Sequence, residues 1–383
     1  MKSRLAILST HPIQYNAPFF RLLASDENIE LRVFYSRANS EVRYDPEFRQ
    51  EVVWDIPLTS GYSCQSFEAS SRRSKKHMIE SIQDFNPHAI IVYGWNFPGH
   101  FDVMRRFFSS TQIWFKGDST VIDPMTLGRK LARRLWLSWV YKHIDKALFV
   151  GKANKRYFQF SGVPEQKLKH LPHAVDVNFF QSNQATWQAE AKQIRRNLGI
   201  SEKAKVLLFV GKLLPIKQPI QFYESFIAAN QNNDQLDSHL VFVGDGELFS
   251  TLSEKAKPHS NVHLIGFVNQ SKMPAYYRLG DCLCLPSRTE TWGLSVNEFL
   301  ASNGKELILS NRVGCAEEFS HFPQCRLIES DQNNDWQKAI VESCRNGVGD
   351  NSLSIYCNSN YTFHASKNAI IQMIKSDSRL VQS

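Results

Sequence analysis

Two glutamates, Glu290 and Glu298, bracket a Trp-Gly turn in the stretch PSRTETWGLSVNE, residues 286–298. The apolar run DCLCL precedes it and FLAS follows, so the pair stands where a buried strand hands over to a helix. Glutamate is rarely buried without a partner. A carboxylate accepts two hydroxyl donors at once, which suits a vicinal diol such as that of ribose or a hexose. Gly293, Leu294 and Ser295 occupy the expected helix start, where amide N–H groups suit phosphate oxygens. One short segment could therefore hold a ribose through Glu298, a diphosphate through amides and a second sugar through Glu290. The plainer alternative makes Glu290 a surface residue and Glu298 a local cap or ion-pair partner.

A second group of candidates lies in VLLFVGKLLPIKQP, where Gly211, Lys212 and Lys217 come directly after an apolar run. Glycine lets backbone approach a ligand closely, and two ammonium groups beside a helix start make an anion site that a diphosphate would fill. Surface lysines near a turn are the ordinary alternative. VFVGDGE repeats the strand-then-glycine device at Gly244, Asp245 and Gly246. It is not a G-x-G-x-x-G fingerprint, and no Walker A pattern occurs. SNRVGCAEE, after the next apolar run, offers Glu317 as a further group at the same crevice or as an exposed charge.

These residues need elements to carry them, and the chain supplies a regular alternation. LAILS, IELRVFYS, HAIIVYG, QIWFKGD and KALFVG are separated by helical patterns. After a polar helical stretch over 183–198 the series restarts with KVLLFVG, HLVFVGDGE, VHLIGFV, DCLCLPS and ELILSN. Repeated strand–helix alternation predicts parallel sheets covered by helices on both faces. Two such series predict an α/β chain of two doubly wound, Rossmann-like domains, 1–180 and 181–359. Ligands bind such sheets beyond the carboxyl ends of the strands, and every candidate above lies at such an end.

The 383 residues suffice for two domains, and a hydrophobic content of 42% is that of a folded protein rather than a disordered one. The net charge is +8, and the pI is near 9.0. That favours anionic partners without choosing among them. The basic residues are not interleaved with aromatics as a stacking platform, so nucleic acid is not an expected partner. Seven cysteines without a C-x-x-C pair argue against zinc ribbons and redox motifs and suit reduced thiols in a cytoplasmic protein. The N-terminal apolar run is too short for a signal peptide, and no apolar segment is long enough to span a bilayer.

Residues 126–156 hold nine Lys or Arg against one acid, Asp145. Arg129, Lys130, Arg133, Arg134 and Lys142 fall in one helical pattern with Trp136 and Trp139. One reading is a solvated helix whose aromatic side enters the core. The other is a face that lies on an anionic membrane or meets an anionic acceptor, which would put the protein on the inner face of the membrane.

Taken together, VGKLLPIKQP, FVGDGEL, LIGFVNQSKMPAYYRLGDCLCLPSRTETWGLSVNEFLA and SNRVGCAEE stand in the order and spacing of the retaining glycosyltransferases of family 4, which have the GT-B fold: two Rossmann-like domains facing across a cleft. THPIQYNAPFFRLLA, WDIPLTSGY and GKANKRYFQFSGVPEQKLKHLPHAVDVNFF resemble the acceptor-side half of that family. The resemblance covers essentially the whole chain, including FHASKNAIIQMI, a helix over 360–378 that in this fold crosses back to the first domain.

The resemblance implies roles. Glu290 would hold donor-sugar hydroxyls near the reacting carbon, and Glu298 would bind the ribose. Lys217, with Lys212 in the place often held by Arg, would neutralise the departing diphosphate. The backbone at Phe267 and Val268 would meet the base, and the loop His11–Gln14 would approach the donor. No cofactor or metal is expected, because lysines and a helix dipole take over the metal's charge-neutralising role; no D-x-D occurs. The expected partners are a nucleotide sugar, most simply a UDP-sugar, and a glycan or lipid-linked acceptor, as in cell-surface polysaccharide or lipopolysaccharide synthesis. The chain departs from the family at Lys212, which keeps the charge but loses bidentate geometry. It departs also at Val313-Gly314 for Gly-Gly, at Lys305-Glu306 for a Gly-x-Pro turn, and at Asp118-Ser119 where a His is common. Asp118 is the expected polar contact to sugar or acceptor.

Three other activities fit the same motifs: a GT-B sugar-nucleotide epimerase, which needs no acceptor; a phosphorylase, which needs inorganic phosphate; and a sugar-nucleotide-binding protein without turnover.

Overall fold

Continuous apolar runs, rather than alternating ones, mark strands buried on both faces, and they assemble here into two parallel sheets. The computed structural model describes residues 2–37, 43–45, 50–122, 126–233, 235–346 and 349–376. The chain divides into two units. The first comprises Met1–Glu41, Ile56–His173 and Phe363–Ser383, and the second Val42–Asp55 and Ala174–Thr362.

In the first unit the strands are β1 (Ser3–Ser9) and β2 (Ile29–Tyr35), then, beyond the short pair β3 (Arg43–Asp45) and β4 (Gln50–Val52) that belongs to the second unit, β5 (Ser63–Ser66), β6 (Ala89–Tyr93), β7 (Gln112–Lys116), β8 (Lys146–Phe149) and β9 (Leu168–His170). They pair in the order β5-β2-β1-β6-β7-β8-β9, all parallel. Helices supply the rest of the core: Met78, Ile82 and Phe85 from Arg72–Phe85, and Val103, Met104 and Phe107 from His100–Phe107, pack on Leu8, Ile90 and Val92. The Ser71 hydroxyl accepts from the Ser74 amide and starts the first of these helices.

The second unit holds β10 (Lys205–Val210), β11 (Ser238–Val243), β12 (Val262–Gly266), β13 (Cys282–Leu285), β14 (Leu307–Ser310) and β15 (Cys325–Ile328), in the order β12-β11-β10-β13-β14-β15. All are parallel, while β3 and β4 form an antiparallel ribbon. Its core gathers Phe209, Phe222, Phe226, Phe242 and Trp336.

Each order places a switch point where the chain reverses direction across the sheet: between β1 and β6 in the first unit, and between β10 and β13 in the second. The loops leaving those two strands diverge to opposite faces and open a crevice at their carboxyl ends.

Three expectations need adjustment. The division falls at His173/Ala174 rather than at 180/181, and Val42–Asp55 goes with the second unit. The Asp55 carboxylate accepts from the Ser271 amide and hydroxyl, and Asn269 Nδ2 donates to the Val53 carbonyl at 2.7 Å, which explains that assignment. The last helix is Phe363–Lys375; Ser366 Oγ donates to the Pro172 carbonyl, Lys367 pairs with Asp26 at 3.1 Å, and Phe363 meets Phe19. It thus returns to the first unit, while residues 377 and 378 lie outside the described residues. The basic stretch 126–156 is not one helix: it runs through the helix Leu127–Val140, a single turn Tyr141–His143 that carries Lys142, strand β8, and the start of Lys152–Phe160.

Candidate active site

Lys217 and Glu290 are 73 residues apart, and they meet. The Lys217 ammonium donates to Glu290 Oε2, with each side chain about one-fifth exposed. Both sit at the β10/β13 switch point. Lys217 ends a short turn, Pro215–Lys217, after β10, and Glu290 lies in the loop after β13. Backbone bonds fasten the two loops together: the Arg288 amide donates to the Ile216 carbonyl at 2.8 Å. Gln218, the next residue, is buried with φ +54, in the left-handed region. A non-glycine residue there stores on the order of 1 kcal/mol, and Gln218 caps the helix Pro219–Gln231, so the turn that aims Lys217 is held against its own preference.

Glu290 is anchored from the other side by the loop after β14. Its amide donates to the Arg312 carbonyl at 3.2 Å, and its carbonyl accepts from the Gly314 amide at 2.9 Å. A Cβ on Gly314 would fall 1.9 Å from the Thr291 carbonyl oxygen, so only glycine permits this approach. The second of the two glycines usual in the family is thus the one that geometry demands, and Val313 stands where the first would be.

Gly293 has φ +98 and caps the helix Leu294–Ala301, whose N-terminal residues Leu294 and Ser295 follow the Glu290 loop directly. Glu298 lies inside this helix, 4% exposed. Gln270 Nε2 donates to its Oε1 at 2.9 Å and the Tyr277 hydroxyl to its Oε2 at 2.6 Å. Burial raises its carboxyl above the ordinary range, against the lowering pull of the Tyr277 and Gln270 bonds. Glu298 is thus neither a local cap nor an ion-pair partner among the described residues: each oxygen accepts one bond from a neutral side chain, 28 and 21 residues away in sequence.

Gly211 and Gly244 serve one another. A Cβ on Gly244, whose φ is +143, would stand 2.0 Å from the Gly211 carbonyl oxygen. The Gly211 amide donates to Val243 and the Gly244 amide to Gly266, so the ends of β10, β11 and β12 are drawn together. The close approach is backbone to backbone. Lys212 follows Gly211 in the same loop, its carbonyl accepting from the Leu214 amide at 2.9 Å. Phe267 and Val268 line a hollow of about 470 Å³ with Gln193, Asn269, Lys272 and Tyr276, and the Phe267 ring meets Trp54 edge-on.

In the first unit, Asp118 lies beyond β7, near His173 Nε2 at 4.0 Å. Burial lowers the His173 imidazole to about 4, the nearby Lys116 charge adding to this and Asp118 opposing it. Burial likewise lowers the Lys116 ammonium to about 8. His11 Nδ1 lies 3.0 Å from Thr10 Oγ1, and Gln14 is in the turn before the helix Ala17–Ala24. The sequence reading missed Tyr277, Gln270, Lys116 and His173. For His173 the sequence signal was weak: LPHAVD follows the short strand β9, Leu168–His170, in which only Leu168 is apolar, so no apolar run marked a strand end there.

Residues 190–353 match the family described as "Glycosyl transferases group 1". That segment lies within the second unit, and the chain has the GT-B fold.

Among relatives of this chain, the UDP-Gal:alpha-D-GlcNAc-diphosphoundecaprenol alpha-1,3-galactosyltransferase of Escherichia coli is 30% identical over 47% of this chain and 46% of its own length. The alpha-monoglucosyldiacylglycerol synthase of Acholeplasma laidlawii is 25% identical over 40% and 42%. The chain spans about half the length of the curated relatives it matches. Among solved structures, an alpha,alpha-trehalose-phosphate synthase from Burkholderia vietnamiensis superposes with a TM-score of 0.74 at 13% identity, covering 98% of both chains. Anabaena HepE in complex with UDP gives 0.73 at 12%, covering 98% of this chain and 100% of that one. At such identities the likeness is one of fold.

Proposed function

We propose that the protein transfers a hexosyl unit from a nucleotide diphosphate sugar, a UDP-sugar, to a hydroxyl of a glycan or lipid-linked acceptor, with retention at the anomeric carbon and without a metal. The observation that carries this reading is the Lys217–Glu290 pair at the switch point of the second unit. Bond cleavage builds positive charge on the sugar and negative charge on the diphosphate. An ammonium has three donors, so Lys217 can hold Glu290 and still receive a diphosphate oxygen. A group already in place where charge develops lowers the barrier without reorganising. Lys212 and the amides at Gly293, Leu294 and Ser295 would share that charge, and the helix start favours it.

Glu290 would accept sugar hydroxyls with its second oxygen. Glu298, oriented by Gln270 and Tyr277, would accept ribose hydroxyls through its remaining lone pairs. Gly211 and Gly244 would set the floor of the site, and the backbone at Phe267 and Val268 would take the base. In the first unit, Asp118, His11 and Gln14 are the proposed contacts to sugar and acceptor. The names of two relatives support a lipid-linked acceptor: the E. coli enzyme above and a Campylobacter jejuni N-acetylgalactosaminyltransferase both carry undecaprenol in theirs.

The test is a panel of nucleotide sugars read by thermal shift, followed by turnover of the stabilising donor with polyprenol-linked acceptors in the presence and absence of chelator. Proton coupling constants of the product give the anomeric configuration. An α-linked product from an α-linked donor, formed equally with chelator present, is expected. An inverted product, a chelator-sensitive rate, or donor consumption that needs inorganic phosphate or no acceptor would overturn the reading.

A further inference from the structure

The helix Leu127–Val140 turns its apolar side away from the protein. Only Leu137 and Val140 are buried, while Leu127 is 85% exposed, Leu131 59%, Leu135 64%, Trp136 52% and Trp139 40%. With about 100° between successive residues, Leu127, Leu131, Leu135 and Trp139 fall within an arc of about 120° on the outward face. The cations do not share that arc. Arg134 borders it on one side, Arg129 lies about 80° beyond its other edge, and Lys130 and Arg133 reach toward the rings of Phe160 and Tyr157 on the body of the unit. The helix contains no acid. Phe108, also exposed, extends the apolar surface beside Trp139 through His143, whose ring lies 5.7 Å from that of Phe108 and 5.8 Å from that of Trp139.

A solvated helix would turn its leucines inward; here Leu127, Leu131 and Leu135 stand outside together with the cations, all four of which are exposed as well. We infer that the outward face of Leu127–Val140 lies in the interfacial zone of an anionic lipid bilayer, Leu131, Leu135 and Trp139 entering the acyl boundary and the flanking cations meeting headgroup phosphates. An interfacial helix has this cross-section: an apolar face, tryptophan at the boundary and Lys or Arg at headgroup level. Charge argues against a second copy as the occupant, because a two-fold contact on this face would set the four cations of one helix beside the four of its mate. Cations drawn to the surface and apolar side chains that insert contribute separately, so each can be removed without the other.

Of the whole stretch 126–156, this surface uses only the one helix; Lys146, in β8, is over the Trp114 ring, and Lys155 pairs with Glu165. The inference does not depend on the transferase reading, since neither Leu131 nor Leu135 belongs to the proposed site.

The test is flotation of the full chain with vesicles of phosphatidylcholine alone or with about a third phosphatidylglycerol, at about 0.1 M salt. Vesicle binding is expected for the anionic mixture and at least about tenfold weaker for phosphatidylcholine alone. The double variant Leu131→Gln, Leu135→Gln should weaken binding about tenfold or more, and Arg129→Gln, Arg134→Gln should remove most of its salt dependence. Both variants should melt as the parent does and keep its nucleotide-induced thermal shift. Tryptophan emission should move to the blue on vesicle addition, and less so in Trp139→Phe. The inference is overturned if the chain stays with the soluble fraction on anionic vesicles. It is overturned equally if the leucine variant binds as well as the parent, or if the parent is a dimer that this variant dissolves.

Discussion

At the residue scale, the site turns on two carboxylates in opposite surroundings. Glu290 is about one-fifth exposed and touches an ammonium, whereas Glu298 is buried between two neutral donors. Charge-assisted bonds contribute roughly 1.5–3 kcal/mol. Lys217→Ala should therefore slow transfer by about ten- to a hundredfold, seen as a loss in kcat rather than in donor affinity; a normal kcat would remove Lys217 from the proposed role. Glu298→Gln should leave the fold intact, since an amide suits a buried place that raises the carboxyl. It should weaken binding of the free nucleotide about tenfold or more, measurable by calorimetry without any acceptor.

At the element scale, the loop after β13 is held between its neighbours like a rung: Arg288 bonds back to Ile216, and Glu290 and Trp292 bond forward to Gly314 and Cys315. Gly314→Ala would drive a methyl into the Thr291 carbonyl. It should lower the melting temperature modestly and abolish most turnover, because Glu290 moves with the rung; unchanged turnover would show that the rung does not set Glu290. At the opposite ends of the strands, Glu306 at the start of β14 is buried between Lys205 at 2.7 Å and Arg326. Burial works to lower the Lys205 ammonium, yet the Glu306 charge and bond prevail and raise it. This accounts for Glu306 where the family has a turn. Glu306→Ala strands the Lys205 charge and should cost about 3–5 kcal/mol, read from urea unfolding, with donor binding at 25 °C retained in the folded fraction.

At the scale of the whole molecule, each unit has its switch point, and the first unit's is fastened by a neutral histidine. His100 is fully buried, with Nδ1 2.8 Å from the Gly94 carbonyl and Nε2 3.0 Å from the Ser36 hydroxyl, and it ties the ends of β2 and β6 together. Burial lowers its imidazole to about 4 from 6.5. Between those values the unfolded chain binds the proton and the native one does not, so stability rises with pH there and is lost as the pH falls. The His100 contribution should amount to about 2 kcal/mol between pH 7 and pH 5. Urea midpoints should drop over that range in the parent and less in His100→Asn, and an equal slope in both would show that His100 titrates normally.

How much of this could be read from the chain alone depends on the distance between the parts. The alternation of apolar runs with helical patterns dictated parallel sheets, because a strand of β-branched and other apolar residues without alternation must be covered on both faces. It also put every candidate at a strand's carboxyl end, and the family's motifs named Lys217 and Glu290 together. Apolar runs, however, carry no record of which strand lies beside which. Only the order β12-β11-β10-β13-β14-β15 makes β10 and β13 neighbours and brings residues 73 apart into contact. Tyr277 and Gln270 went unread for the same reason, since nothing in their own neighbourhood announces a carboxylate from the next helix. The helix Leu127–Val140 shows the limit most plainly. Its sequence has an apolar stripe and a basic one, and either could face the core. The tertiary structure buries just Leu137 and Val140, leaving the apolar stripe outside, because periodicity fixes the angle between residues on a helix but not the direction from which the rest of the protein arrives.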